Sequence, residues 1–179
     1  MLLQNDILRL RALEPTDLEL LYQWENNPSI WEVSNTLSPY SKYILHQYIE
    51  NSFRDIVESK QLRLIIELAN NQYCEPVGTI DLFEIDFYHK RAGIGILIAS
   101  EEHRKKGYAS EAIKLMEEYS ANHLLLLQVH CKINEDNLPS LKLFKQIGYE
   151  VVGKLKQWKN TPNGWKDVLI LQHFLSQIE

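Results

Sequence analysis

Alternation of apolar and polar residues along the 179-residue chain predicts a series of half-buried β-strands. The first is the segment at 7–11, where leucines alternate with Arg9 and Arg11 at the period of two that a strand requires. Runs rich in Ile, Leu and Val, bounded by turn-forming residues, predict the others. We expect these strands at residues 62–68, 77–83, 91–99, 124–132, 149–158 and 167–174, with turns at 70–72 and 161–164.

Helical periodicity of three to four residues separates the strands in four places. A helix with Thr16 as its N-cap is expected from residue 15 to the Asn-Asn-Pro at 26–28, and after a polar loop further helices are expected at 40–57, 107–121 and 137–147. Pro139 falls in the first turn of the last helix, and Gly148 follows where a left-handed residue ends a helix. The order of strands and helices predicts a mixed sheet with helices on both faces.

Composition and charge restrict the class of protein. With 45% hydrophobic and 24% charged residues, the chain is neither collagen-like nor disordered. Its net charge of −5 argues against a nucleic-acid partner. The longest uncharged stretch, 119–131, is shorter than the ~20 residues of a membrane span, and the N-terminus has no signal-peptide pattern. Cys74 and Cys131 form no CxxC pair, which favours a reduced protein in a reducing compartment. A single disulfide between them is the alternative. We therefore expect one domain over 1–179, in the cytoplasm.

The most specific chemical signal lies between the strand at 91–99 and the helix at 107–121. A strand leads into a turn that contains Gly107, and the turn opens a helix whose N-terminus carries a partial positive charge. Arg104, Lys105 and Lys106 add three cations just before the glycine. This arrangement predicts an anion site, and the alternative is an ordinary strand–helix turn with a solvated basic flank.

Other familiar site patterns fail in this sequence. The segment from Gly148 to Lys154 begins like a P-loop, but Leu155 replaces the Ser or Thr that would hold Mg²⁺. The pair Gly93 and Gly95 lacks the third glycine of a dinucleotide fingerprint. The six histidines form no metal-binding spacing and no GxSxG occurs, so we expect no metal and no serine nucleophile.

Four landmarks together resemble the GNAT N-acetyltransferase superfamily. Arg104-x-x-Gly107-x-Ala109 resembles its Q/R-x-x-G-x-G/A pyrophosphate loop. The opening strand before Thr-Asp-Leu, the Gly-Thr-Ile-Asp at 78–81, and Asn137-x-x-Ser140 followed by a Gly-Tyr at 148–149 resemble further family segments. The likeness runs from about residue 7 to 174 and is greatest to the ribosomal-protein and spermidine/spermine N-acetyltransferase branch. It implies an α/β (α+β) GNAT fold with a mixed, mostly antiparallel central sheet.

The resemblance also implies where the co-substrate acetyl-CoA binds. Backbone groups in the loop that Arg104 opens would hold the pyrophosphate: Lys105, Lys106, Gly107, Tyr108 and Ala109. The pantetheine arm would pair with the main chain of Leu97, Ile98 and Ala99, and Asn137 would bond to the arm as well. Structural alternatives exist, because Leu97 and Ile98 also suit a core and Asn137 also suits an N-cap.

The sequence departs from the family at the proton donor. Many relatives carry a Tyr that protonates the leaving thiolate where this chain has Phe144. With a thiol pKa of ~8.5, releasing a thiolate at pH 7 costs only ~2 kcal/mol, so loss of this acid weakens catalysis without forbidding it. By the resemblance, Ser140 would donate a hydrogen bond instead, and Tyr108 is a less favoured substitute.

The attacking amine needs a proton acceptor, because an alkyl ammonium has a pKa of ~10.4. Three carboxylates cluster near the third strand, Asp81, Glu84 and Asp86. We favour Glu84 as the catalytic base, because it matches an acidic residue in polyamine-acetylating relatives. The alternative is an acidic strand end that only faces solvent.

These observations predict an enzyme that transfers acetyl from acetyl-CoA to a primary amine by direct attack. The acceptor is either a small amine such as a polyamine or a peptide N-terminus. The negative net charge favours a polyamine, while the segment at 31–37 lacks the dense acidic run of polyamine enzymes. The sequence is compatible with a homo-oligomer but does not predict one. The alternative function is a GNAT-fold sensor that binds acyl-CoA without efficient catalysis.

Overall fold

The computed structural model describes residues 3–34, 36–52, 55–69 and 74–176, and within them a seven-stranded sheet. The strand order is β1-β2-β3-β4-β5-β7-β6, and all neighbours are antiparallel except β4 and β5. The strands are β1 (Leu8–Arg11), β2 (Leu62–Ala69), β3 (Cys74–Asp86), β4 (Arg91–Ile98), β5 (Gln128–Asn134), β6 (Glu150–Thr161) and β7 (Gly164–Phe174). The mixed, mostly antiparallel sheet is confirmed.

Helices cover both faces of this sheet, also as predicted. They are α1 (Leu18–Glu25), α2 (Pro28–Ser34), α3 (Lys42–Asn51), α4 (Ile56–Ser59), α5 (Tyr108–Asn122) and α6 (Leu138–Gln146). Helices α5 and α6 bury their apolar sides against one face, together with Leu64 and Ile66 of β2. Helices α1 and α3 pack on the opposite face, against Ile65. Neighbouring residues of β2 thus serve different cores, because strand side chains alternate between faces. None of the helices in the described ranges is long and apolar enough to span a membrane.

The face of α1 and α3 is also held by two groups of ion pairs. Arg11 of β1 bonds Asp17 (Nη1–Oδ2, 2.6 Å) and also pairs with Glu67 of β2. Arg63 of β2 bonds Glu25 of α1 at 2.6 Å and Asp81 of β3 at 2.5 Å. The side chains of Asp17 and Glu67 are buried. Burial raises their pKa values, but the hydrogen bonds from the arginines outweigh it, so both pKa values lie below their usual range.

Most predicted strands and helices are confirmed, with shifted ends. Strand β5 begins at Gln128 and not at 124, because Leu125 has a φ of +55° that breaks the extended backbone. Pro139 lies in the first turn of α6, and Gly148 has the predicted positive φ, +101°. The turn predicted at 70–72 lies outside the described residues.

Three local predictions were wrong. The helix expected at 40–57 is two helices, α3 and α4, with α3 ending at Asn51. The N-cap of α1 is Asp17 and not Thr16. Pro28, expected to lead into a loop, starts α2, because proline suits the first position of a helix as well as it suits a turn.

Candidate active site

A gap opens in the sheet between the two parallel strands. Only residues 91–93 of β4 pair with β5, and the last pair is Gly93 with His130. Strand β4 nevertheless continues to Ile98 and β5 to Asn134. Beyond the last pair the facing backbone groups of the two strands have no partner in each other, and a ligand that offers donors and acceptors can take their place.

The space between the parted strands is part of a cavity of about 330 Å³, a volume that is typical of small-molecule sites. It is lined by β4 (Ile94, Gly95, Ile96), β5 (Cys131, Lys132, Ile133, Asn134), α6 (Asn137, Ser140, Phe144) and the β6–β7 hairpin (Trp158, Lys159, Val168). The site predicted at Asn137 and Ser140 therefore lies at the gap in the sheet. Burial raises the pKa of the Cys131 thiol to about 12, which keeps it protonated and unsuited to nucleophilic attack.

The backbone of β4 determines which predicted pantetheine contacts are open. The N–H of Ala99 donates to Val77 O at 3.0 Å, so it belongs to the β3 side of the strand. Because successive residues of a strand face opposite edges, the main chain of Ile98 and Ile96 faces the gap. The main chain of Ile98 is therefore still available for the predicted pairing with the pantetheine arm. The prediction is wrong for the N–H of Ala99, which bonds to β3, and the main chain of Leu97 also faces β3.

The predicted pyrophosphate loop has the geometry of an anion site. Lys105 and Gly107 have positive φ values of +60° and +86°, and Gly107 is the N-cap of α5. A Cβ on Gly107 would meet no atom within 4 Å, so the backbone conformation and not crowding calls for glycine. The first N–H groups of α5, including those of Tyr108 and Ala109, have no partner within the helix. Lys105 and Lys106 form no ion pair with any residue that the structure describes.

Arg104 ties this loop to the end of β4. Its Nε donates to Ile98 O at 3.2 Å and its Nη2 to Ala99 O at 3.4 Å, while Glu101 lies 3.9 Å away. The side chain thus fixes the distance between the strand end and the glycine turn. The sequence alone predicted Arg104 only as the residue that opens the loop.

Helix α6 places two polar groups and one ring on the cavity wall. Asn137 is its N-cap, and Asn137 Oδ1 accepts the N–H of Ser140 at 3.2 Å. The Ser140 hydroxyl bonds no other residue in the described part of the chain, so it is available to a ligand. Phe144 follows one turn later on the same side of the helix and is 4% exposed. The alternative for Asn137, an N-cap, is therefore confirmed, and its amide nitrogen is still free to bind.

The three candidate carboxylates differ in what they contact. Asp81 is engaged by Arg63, and Asp86 accepts the N–H of His89 at 2.9 Å. Glu84 is exposed, has a φ of +51°, and pairs with no cation among the described residues. It lies in the irregular part of β3 where pairing with β4 shifts, and it does not line the cavity. Of the three, Glu84 has the free carboxylate.

One titratable residue beside the gap, His130, was not predicted as a site residue from the sequence. His130 is half-buried on β5, and its ring meets Phe83 edge-on with centroids 6.4 Å apart. Burial lowers its pKa, whereas the charge of Glu84 acts to raise it. Spacing between histidines could not reveal this residue, but alternation along β5 could, because Val129 and Cys131 are buried on the other face. No cluster suited to a metal occurs among the residues described.

Parallel strands that part over a cavity, with a glycine turn and a helix N-terminus beyond, form a site suited to an elongated ligand that ends in an anionic group. The family model described as "Acetyltransferase (GNAT) domain" matches residues 8–150, and the chain belongs to this family. It is accordingly an N-acetyltransferase that moves acetyl from acetyl-CoA to a primary amine.

Similar proteins and structures share most of the chain. Spermidine N(1)-acetyltransferase of Escherichia coli K12 is 28% identical over 148 residues, 83% of this chain and 75% of that protein. The Vibrio cholerae protein of the same name is 28% identical over 151 residues, 84% and 83% of the two chains. The crystal structure of spermidine N-acetyltransferase from Vibrio cholerae with CoA and spermine superposes with a TM-score of 0.85 at 26% identity, covering 97% and 98%. A dodecameric structure from the same organism has a TM-score of 0.76 at 25% identity and covers 95% of each chain.

Proposed function

We propose that the amine acetylated by this enzyme is a polyamine of the spermidine and spermine class. One observation carries the proposal: the similarity to spermidine N-acetyltransferases extends over more than four-fifths of the chain and includes a structure bound to CoA and spermine. The net charge of −5 and the free, exposed carboxylate of Glu84 suit a polycation. The ion-paired Asp81 is less suited, since Arg63 already neutralises it.

The co-substrate is expected to run along β4, from the glycine turn to the closed end of the gap. Backbone N–H groups of Lys105, Lys106, Gly107, Tyr108 and Ala109 bind the pyrophosphate in this proposal. The N–H of Ile98 and the amide of Asn137 bind the pantetheine arm. Four residues of strand separate Ile98 from Ile94, about 13 Å, so the thioester end reaches the level of Ser140 and Phe144.

Transfer then needs a proton donor for the thiolate and a proton acceptor for the amine. Ser140 is the proposed donor, because this residue lines the cavity and its hydroxyl has no other described partner. The Phe144 ring beside it is apolar and excludes water from the sulfur, but it has no proton to give. Glu84 is proposed to help deprotonate or position the amine from the opposite face of the sheet.

The proposal extends to the cellular location and the assembly of the enzyme. We infer a cytoplasmic enzyme, where acetyl-CoA and polyamines meet, with residues 1–179 forming one domain. We also infer a homo-oligomer, as in the dodecameric Vibrio cholerae structure. Exposed apolar side chains on α3, Tyr43 at 69% and Ile44 at 48%, offer a surface for such contacts. Light scattering after size-exclusion chromatography tests the assembly.

The substrate proposal is tested with a panel of amines. Release of CoA thiol is measured with spermidine, spermine, a diamine, an aminoglycoside and a peptide with a free N-terminus. We expect kcat/KM for spermidine or spermine to exceed that for the peptide and aminoglycoside by at least about 100-fold, a difference of about 2.7 kcal/mol in transition-state stabilisation. A higher value for the peptide or the aminoglycoside would overturn the proposal. Acetyl-CoA binding by calorimetry without turnover on any amine would instead favour the sensor.

A further inference from the structure

His130 of β5 lies at the closed end of the gap. It is the last residue of β5 that pairs with β4, opposite Gly93. The next residue on each strand, Ile94 and Cys131, lines the cavity. The backbone of His130 therefore adjoins the point at which the cavity begins.

The His130 side chain faces the side of the sheet opposite to α6. Val129 and Cys131 belong to the core under α5 and α6, and strand side chains alternate, so His130 lies on the other face of the sheet, the face that carries α1 and α3. The ring of Phe83, two strands away, shares that face and meets the imidazole edge-on. His130 and Ser140 thus approach the gap from opposite sides.

Two glycines of β4 lie on this face beside the gap. Gly93 and Gly95 lie under the Phe83 ring, and a Cβ on Gly93 would come within 2.2 Å of it. A Cβ on Gly95 would be 3.6 Å from the ring and would meet no other residue within 4 Å. Gly95 also lines the cavity. Because Gly95 has no side chain, only the Phe83 ring lies within 4 Å of the place where its Cβ would be, among the described residues that are not its chain neighbours.

The charges around His130 suit a neutral imidazole that can accept a proton. Burial lowers its pKa, Lys132 of β5 and Arg91 of β4 lower it further, and Glu84 of β3 opposes them. An imidazole with an ordinary pKa of ~6.5 is better matched to a reaction near pH 7 than a carboxylate with a pKa of ~4.3. The carboxylate of Glu84 then stabilises the imidazolium once it forms.

We propose that His130 is a catalytic residue that accepts the proton of the attacking amine, with Glu84 as its positioning residue. The amine nitrogen attacks the thioester carbonyl carbon, the N–C bond forms, and the C–S bond breaks. The electron pair of the C–S bond leaves with sulfur, which becomes a thiolate. The amine proton passes to the imidazole and from there to water or to that sulfur. The inference rests on an amine acceptor and does not depend on that amine being a polyamine.

The main test is His130→Gln, assayed at saturating acetyl-CoA with any amine that the wild type acetylates. We expect kcat to fall by about 100-fold while the Kd for acetyl-CoA, measured by calorimetry, stays unchanged. His123→Gln is the matched control, because His123 is exposed at the end of α5 and should leave kcat unchanged. A His130→Gln enzyme with kcat within about threefold of wild type would overturn the proposal.

The pH dependence of kcat provides a second test on a fully folded enzyme. We expect the wild type to gain activity through a limb with an apparent pKa below ~6.5, the ordinary value for histidine. Glu84→Gln should move that limb to lower pH, because the imidazolium loses its negative neighbour. A wild-type profile without a limb below pH 7, or a limb that does not move in Glu84→Gln, would contradict the proposal even if His130→Gln failed to fold.

Discussion

The two faces of the sheet are built by different forces. Under α5 and α6 lies a large apolar core that includes Ile94, Met116 and Phe144. Under α1 and α3 lies a small one, with five buried residues in the described part of the chain. The ion pairs of Arg11 and Arg63 complete that face. Apolar packing responds little to pH and salt, whereas ion pairs respond to both. The cofactor site therefore lies on the face whose stability responds little to pH and salt. The acceptor is proposed to approach from the other face, the sensitive face, whose stability responds to both.

The largest effect is expected on the cofactor side, from Gly107→Asp. The φ of +86° strains any residue with a Cβ, and the new carboxylate repels the pyrophosphate. We expect acetyl-CoA affinity to fall by about 1,000-fold, about 4 kcal/mol, in calorimetry. Gly164→Asp is the matched control, since Gly164 also has a positive φ and no atom within 4 Å of a Cβ, but lies in the β6–β7 turn. Equal losses in both variants would show that strain, and not the site, is responsible.

On the opposite face, Arg11→Met should cost about 3 kcal/mol of unfolding free energy at pH 7, measured with urea. It leaves the buried carboxylates of Asp17 and Glu67 without their shared cation.

The pH dependence of the stability should weaken as well. In the wild type both pKa values are lowered by folding, so this stabilisation is complete above about pH 4.5 and is lost as the pH falls through the folded values. Without Arg11, burial is opposed only by the remaining partners, Arg9 for Glu67 and the N–H of Glu14 for Asp17. Both pKa values should then be lowered less, so acid should destabilise the variant less than the wild type. The same loss of stability in acid for both proteins would contradict this assignment.

Glu84→Gln sharpens the comparison, because it changes chemistry on the sensitive face without touching the cofactor loop. We expect kcat/KM to fall by about 100-fold and acetyl-CoA affinity to stay the same. Glu58→Gln, in the exposed helix α4, is the control for a general loss of negative charge. Unchanged kcat/KM from pH 6 to 9 would exclude Glu84 and bring Asp81 or Asp86 forward.

Ser140→Ala removes the proposed hydrogen bond to the leaving sulfur. A loss of about 1.4 kcal/mol corresponds to about a tenfold lower kcat, with little change in protein stability because the hydroxyl has no described partner. The drop should shrink with thioesters whose thiols are more acidic, since their thiolates need less help. An equal drop for all thioesters would point to substrate placement instead.

The smallest effect is expected from Phe144→Tyr, which restores the common acid of the family. Turnover should stay the same or rise severalfold, and Phe144→Tyr should rescue Ser140→Ala if both groups serve the same sulfur. Phe144 packs edge-on against Tyr149 with centroids 4.8 Å apart, so thermal unfolding is the control for disturbed packing. A large loss of activity in a stable variant would show that Phe144 has another role.

Local signals predicted the backbone features around the proposed cofactor site well. The glycine turn at Gly107, the capping by Asn137, Pro139 in the first turn and the left-handed Gly148 all depend on a few adjacent residues. Such preferences act wherever the segment lies in the fold, so the sequence alone could locate them.

The acceptor side depends on pairings between distant residues. His130 ends the β4–β5 ladder because of the register between these two strands. Arg63 neutralises Asp81, 18 residues further along the chain, because the two residues lie on neighbouring strands. Neither can be inferred from the residues beside it. The Ala99 N–H was assigned wrongly for the same reason, since its partner Val77 belongs to another strand.

Three residue pairs join β4 to β5, so the sheet consists of two parts, here called leaves, that are connected by a short ladder. The longer antiparallel pairings place β1 to β4 in one leaf and β5 to β7 in the other. A ligand that bonds to β4 on one side and to α6 on the other bridges the leaves where the chain itself does not. Acetyl-CoA would then hold the two leaves together as well as react: amide protons of β4 and β5 near the end of their ladder should exchange faster in the free protein than in the complex.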